Sequence, residues 1–229
     1  MSAMMGPAKA PRAVIFSPHP DDDILACGGT IGLRVSQGYR VYVIYMTDGR
    51  NSHLHELGIA RNPSPSQLAV IRKEEAKKAL SILGIDKSCL GFLDFEDGSL
   101  EADLNVAKDK VQRILRDIQP QEVCFPMSTD EHRDHRATSI IVSESLKEVC
   151  FQGLAYRYTI WGNQNELASP DEQKSIDISH VLALKRKAIL EHQSQVTRLF
   201  LGQERPILDD FFISKFLGNA EIFNVWKPK

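Results

Sequence analysis

Two short polar clusters gather the side chains of this chain that can bind a metal ion or move protons. The first is Ser17-Pro18-His19-Pro20-Asp21-Asp22-Asp23, and the second is Asp130-Glu131-His132-Arg133-Asp134-His135. Neutral imidazoles and carboxylates, two or three from the protein with one position left open, are the ligands of a hydrolytic zinc site. His19 and Asp22 stand three apart on a turn, so both can face one point. His132 and His135 have the same spacing at the entrance to a helix. Adjacent aspartates repel one another unless a cation lies among them. Taken singly, these residues have plainer uses. A lone histidine after a strand is commonly a loop residue or a cap, and aspartates before a helix complement its dipole. The pairing of the two clusters is what favours a shared metal site. His53 and His55, in a polar stretch, read as solvated, and His180 as structural.

The elements that must position these clusters alternate. Ala13–Ser17 is a short apolar strand, and Ile24–Gln37 has the apolar spread of a helix stopped by Gly38. Arg40–Thr47 is β-branched and aromatic, as a strand buried on both faces would be. Ser64, Pro65 and Gln67 form the clearest helix start, an N-cap followed by Pro at the first turn and a capping box. That helix ends at Gly84. Leu90–Leu93, Glu122–Pro126 and Leu154–Trp161 are further strands. Leu104–Ile118, and a segment from near Asp134 towards Val149, are further helices. Such alternation predicts an α/β fold, Rossmann-like, with a mostly parallel sheet and helices on both faces. Ligands of such sheets bind beyond the carboxyl ends of the strands, where both clusters fall. One domain over residues 1–229 is expected, with the stretch after Pro170 as a candidate smaller appendage.

Composition removes several function classes. Lys and Arg number 28 against 30 Asp and Glu, a net charge of −2, so no basic excess exists to grip nucleic acid. Apolar runs such as Val41–Met46 are far short of the roughly 20 residues that span a bilayer. Met1–Arg12 lacks the apolar core of a secretory signal and reads as a disordered tail. The four cysteines, Cys27, Cys89, Cys124 and Cys150, form no Cys-x-x-Cys pair and read as buried thiols of a reduced compartment. A cytoplasmic location is the expectation.

In these motifs the sequence resembles the PIG-L/LmbE-like family of zinc-dependent de-N-acetylases. The likeness continues through Ala26-Cys27-Gly28-Gly29-Thr30, Thr47-Asp48-Gly49, Ile71-Arg72-Lys73-Glu74-Glu75-Ala76, and Lys187-Ala188 with His192-Gln193-Ser194-Gln195. It runs in order from about residue 13 to 195. The resemblance implies Zn2+ held by His19, Asp22 and His135, with Asp21 as general base. It implies that His132 steadies the oxyanion and protonates the leaving amine, oriented by Asp134. Arg72 would touch a substrate hydroxyl, Glu75 would be a supporting ion-pair residue, and Gly28 and Gly29 would let the first helix approach. Members are often trimers or hexamers, so a homo-oligomer is implied. Two positions depart from the family: Asp23 replaces the usual Glu, and Arg50 stands where Glu often follows the glycine. Arg50 adds positive charge near the mouth and points to an anionic substituent on the substrate, so it joins the substrate-binding candidates.

The implied reaction removes the N-acetyl group from an N-acetylglucosamine-type sugar. Zinc chemistry of this kind lowers the pKa of a water towards ~7 and polarises a carbonyl. Clustered Asp and His at strand ends also describe binuclear phosphoesterases, which need a second ligand set. A non-catalytic sugar- or metal-binding module on the same fold is the other rival. Asp-Asp-Asp in the first strand-to-helix turn repels the phosphates that a dinucleotide would place there.

Overall fold

The computed structural model describes residues 10–162 and 172–228. Most of the predicted tail, residues 1–9, lies outside the described residues. Five strands run parallel: β1 (Arg12–Ser17), β2 (Arg40–Thr47), β3 (Leu90–Phe95), β4 (Glu122–Pro126) and β5 (Leu154–Tyr158). Two more, β6 (Gln173–Asp177) and β7 (Ala220–Trp226), complete one sheet of order β3-β2-β1-β4-β5-β7-β6. β7 is antiparallel to both of its neighbours. The stretch after Pro170 is therefore no appendage; it closes the edge of the same sheet.

β1 shows why the sheet is covered twice. Ala13 and Ile15 belong to one apolar core, whereas Val14 and Phe16 belong to the other. Alternate side chains of a strand face opposite ways, so both faces need helices. α1 (Asp22–Ser36), α3 (Pro65–Ile82) and α6 (Leu182–Leu190) pack on the first face. α4 (Leu104–Ile118) and α5 (Arg133–Glu148) pack on the second. Short helices α2 (Ser52–Leu57), α7 (Gln193–Val196) and α8 (Asp210–Ser214) stand in the connections. The capping box at Ser64 is present as read: Ser64 accepts from the Gln67 N–H, and the Gln67 side chain accepts from the Ser64 N–H.

Gly28 and Gly29 serve helix packing. A Cβ at Gly29 would lie 2.5 Å from Ile178, in the segment leading into α6, and one at Gly28 would lie 3.1 Å from Lys185 of α6 itself. Cys27, Cys89 and Cys124 are buried as expected, but Cys150 is exposed beyond the end of α5. Among the described residues no helix is long and apolar enough to cross a membrane. Strand order reverses between β1 and β4, and a crevice opens at their carboxyl ends. The two polar clusters follow those two strands.

Candidate metal centre and its cavity

The loop after β1 is tied down before it presents any chemistry. The Thr47 N–H and hydroxyl both donate to the Pro18 carbonyl at 2.9 Å, and the Ser17 hydroxyl donates to the His19 carbonyl at 2.7 Å. Asp23 is fully buried and accepts from the Tyr45 hydroxyl at 2.9 Å and the Ser17 hydroxyl at 3.4 Å. Burial pushes its carboxyl up to about 7. Asp23 thus braces the loop from beneath. Asp21 has φ of +150°, a region that residues other than glycine rarely occupy, at a cost of about 1–3 kcal/mol.

Three donor atoms converge here. His19 Nδ1 lies 3.1 Å from Asp22 Oδ2 and 3.3 Å from His135 Nε2, and that nitrogen is 3.1 Å from the same Asp22 oxygen. Ligands ~2.0–2.1 Å from a tetrahedral ion stand about 3.3 Å apart, so this triangle fits one face of such a site. The far nitrogen of each ring is held by carboxylates. His19 Nε2 lies 3.2 Å from both Asp97 and Asp134, and His135 Nδ1 lies 3.3 Å from Asp130. Carboxylates in those places put the proton on the far nitrogen and turn the near lone pair inward. His132 brings a third imidazole within 4.8 Å of the other two.

The electrostatics favour a cation. Burial works against a charged His135, but the charge of Asp22 and the bonds to Asp130 and Asp22 outweigh it and raise its pKa to about 9. His19 is raised in the same way against the cost of burial, by Asp97 first and then Asp134 and Asp22. A field that holds protons on two buried imidazoles is one that a divalent ion would satisfy.

Asp21 lies beside the triangle without joining it. Its carboxylate meets the Arg72 Nη2 at 2.8 Å. Burial raises its pKa to about 7, with Arg72 opposing. Arg72 also donates to the carbonyls of Gly49 and Pro20, each at 2.9 Å, and is only 3% exposed. Gly49 has φ of +65°, and a Cβ there would lie 2.5 Å from the guanidinium, which explains the glycine of the Thr-Asp-Gly motif. Arg72 lines the cavity, but its terminal nitrogens are engaged in holding Asp21 and two loops.

Two expected arrangements differ. The Asp134 carboxylate does not reach His132: it accepts from the N–H groups of Gly98 at 2.6 Å and Leu100 at 3.2 Å and faces His19. His132 caps α5, its Nδ1 accepting from the Asp134 N–H at 3.2 Å. The neutral ring therefore carries its proton on Nε2. Burial and the charges of His19 and His135 push His132 down to about 4, and Asp134 opposes only weakly. Neutral imidazole, donating from Nε2, is the form this setting favours.

The crevice is a cavity of about 230 Å³. His19, Asp21, Asp22, Asp97 and His132 form its floor, and Leu25, Ile160, Trp161, Ile207 and Leu208 an apolar wall. Arg50 is not among the lining residues; it folds onto Asp48, which accepts from its Nε at 2.6 Å. His53 is buried rather than solvated, with Phe200 against it edge-on, while His55 lines the cavity. Among the described residues Glu75 makes no ion pair; it accepts from the N–H and hydroxyl of Ser194 at 2.8 and 2.7 Å. Ser194 in turn accepts from the cavity-lining Gln195 at 2.9 Å.

Comparison with known proteins bears on this geometry. Residues 14–146 match the family model described as "PIG-L: GlcNAc-PI de-N-acetylase". The chain is 29% identical to diacetylchitobiose deacetylase of Thermococcus kodakarensis, over 80% of this chain and 70% of that one. It is 30% identical to the Bacillus cereus protein named "Probable N-acetyl-alpha-D-glucosaminyl L-malate deacetylase 2", over 80% and 83% of the two chains. The solved N,N'-diacetylchitobiose deacetylase of Pyrococcus horikoshii, bound to an inhibitor, superposes with a TM-score of 0.71 at 26% identity, covering 96% of this chain and 85% of that one.

Proposed function

Because the chain belongs to the PIG-L family, we propose that it is a zinc-dependent hydrolase that removes the N-acetyl group from an N-acetylglucosamine-type sugar or glycoconjugate. One observation carries the reading: the triangle of His19 Nδ1, Asp22 Oδ2 and His135 Nε2, with a strained, ionisable Asp21 at its side. These three residues would hold the ion. When bound, it supplies Lewis acidity to a water and to the acetyl carbonyl.

The chain's own groups divide the remaining work. Asp21 takes the proton of the attacking water, and a pKa raised towards neutrality suits a group that must also give the proton back. His132 donates from Nε2 to the oxygen of the acetyl group as it gains charge. A neutral ring does this without being an imidazolium, and its donor is fixed in place before the reaction begins. Asp134 and Asp97 orient His19, and Asp130 orients His135. Arg72 places Asp21. Collapse requires a proton on the sugar nitrogen, which Asp21 returns, and the products are acetate and a free amine.

The test is acetate release from simple N-acetyl sugars. Asp21→Asn should retain bound metal yet lose roughly 10²–10⁴-fold in kcat if it acts in proton transfer. Full activity in that variant would remove Asp21 from the chemistry.

A further inference from the structure

The segment His192-Gln193-Ser194-Gln195 has no part in the chemistry above, yet it ends on a side chain that lines the cavity. Arg72 and Glu75 stand one turn apart on α3, so one face of that helix braces two parts of the site. Arg72 holds Asp21, and Glu75 holds Ser194. The backbone of Gln195 is fixed on both sides. Its N–H donates to the His192 carbonyl at 2.8 Å, and its carbonyl accepts from the Leu208 N–H at 2.9 Å. Ser194 and Gln195 are 0% and 1% exposed.

The protons available set the direction of the bonds. A carboxylate only accepts, so the Ser194 hydroxyl gives its single proton to Glu75 Oε2 at 2.7 Å. Ser194 Oγ is left to accept, and the Gln195 amide must turn its NH2 group towards it, at 2.9 Å. Gln195 Oε1 is thereby turned away from Ser194, and among the described residues no donor meets it. A buried acceptor without a donor is costly, and this one belongs to a residue of the cavity wall.

We infer that Gln195 Oε1 accepts a hydrogen bond from a hydroxyl of the sugar ring that carries the N-acetyl group, and that Glu75, acting through Ser194, is the positioning residue that makes Gln195 an acceptor. This contact rests on the deacetylase reading, which supplies the sugar. Fluorine in place of a hydroxyl cannot donate, so it tells an acceptor in the wall from a donor. Glu75→Gln should reverse the whole chain of bonds. Its amide nitrogen would donate to Ser194 Oγ, the Ser194 hydroxyl to Gln195 Oε1, and the Gln195 NH2 group would face the cavity.

The test is acetate release by the zinc-loaded chain from N-acetylglucosamine and its 3-, 4- and 6-deoxyfluoro derivatives. One derivative should fall in kcat/KM by about 3–10-fold beyond the other two, the worth of one hydrogen bond. In Gln195→Met, of similar length but without the amide, that selective loss should vanish. In Glu75→Gln it should shrink or reverse, because the wall now donates. Urea midpoints separate a lost fold from a lost contact, and Gln195→Met decides alone if Glu75→Gln does not fold. Equal rates for the three derivatives in the unaltered chain, or a selective loss unchanged in either folded variant, overturns the inference and leaves the deacetylase reading standing. Acetate from neither N-acetylglucosamine nor N,N'-diacetylchitobiose withdraws the deacetylase reading, and this contact with it.

Discussion

Asp21 and Arg72 show how much a single contact decides at the scale of the residue. Burial raises the Asp21 pKa to about 7, and Arg72 is the first cause opposing that rise. A base must be ionised, so kcat/KM should increase with pH as Asp21 loses its proton. Removing the guanidinium removes the opposing charge, so Arg72→Gln should move the acid limb of the kcat/KM profile to higher pH. A variant that only raises KM, with the limb unmoved, would return Arg72 to a contact with substrate. The five residues proposed to hold the ion or perform the chemistry, and Asp134 that orients His19, were legible because they lie in two contiguous motifs, His-Pro-Asp-Asp and His-Arg-Asp-His. Asp97 was not, since a single acid in the loop after β3 has no neighbouring pattern. The sequence predicts a third strand ending at Leu93, whereas β3 runs to Phe95, placing Asp97 just beyond a strand's carboxyl end. That placement was the available signal. The direction of the Asp134 carboxylate depends on the N–H groups of Gly98 and Leu100, distant in sequence, and no local spacing encodes it.

Elements buried on both faces announced themselves, and edge elements did not. β2 and β4 are near-continuous apolar runs, and α3 starts at a full capping box. β6 buries one residue in five, so its sequence carries no strand signal. α2 is a six-residue helix in a polar stretch, too short for any period to show, and it carries the buried His53. The packing of α1 offers a test at this scale. Ile178 occupies the space where a Gly29 side chain would be, so Gly29→Ala should destabilise the fold by about 1–3 kcal/mol. The shift is read as a lower urea midpoint at constant m-value. An unchanged midpoint would mean that α1 and the segment before α6 separate freely.

Across the whole molecule, the segment after Pro170 supplies an ion pair that ties both parts of the chain together. Lys185 of α6 is 1% exposed, and its Nζ donates to Glu221 of β7 at 2.7 Å. Glu221 also accepts from the N–H groups of Gly29 and Thr30 in α1, at 2.8 and 2.7 Å. Replacing one partner leaves the other charge buried without compensation. Glu221→Ala should therefore cost about 3–5 kcal/mol in urea unfolding. A cost below about 1 kcal/mol would mean that water or another group takes over Lys185. This long-range link, like the antiparallel edge it belongs to, joins residues nearly two hundred positions apart, which no motif or period could report.

The proposed function requires a metal ion at His19, Asp22 and His135 for the release of acetate. The direct measurement is a zinc titration of the chelated chain, followed by acetate release from N,N'-diacetylchitobiose. Activity should rise in proportion to added zinc and level off at about one ion per chain. His135→Ala should bind little zinc and stay inactive across the same titration. Full acetate release by the chelated chain, or zinc-restored activity in His135→Ala equal to that of the unaltered chain, would contradict it.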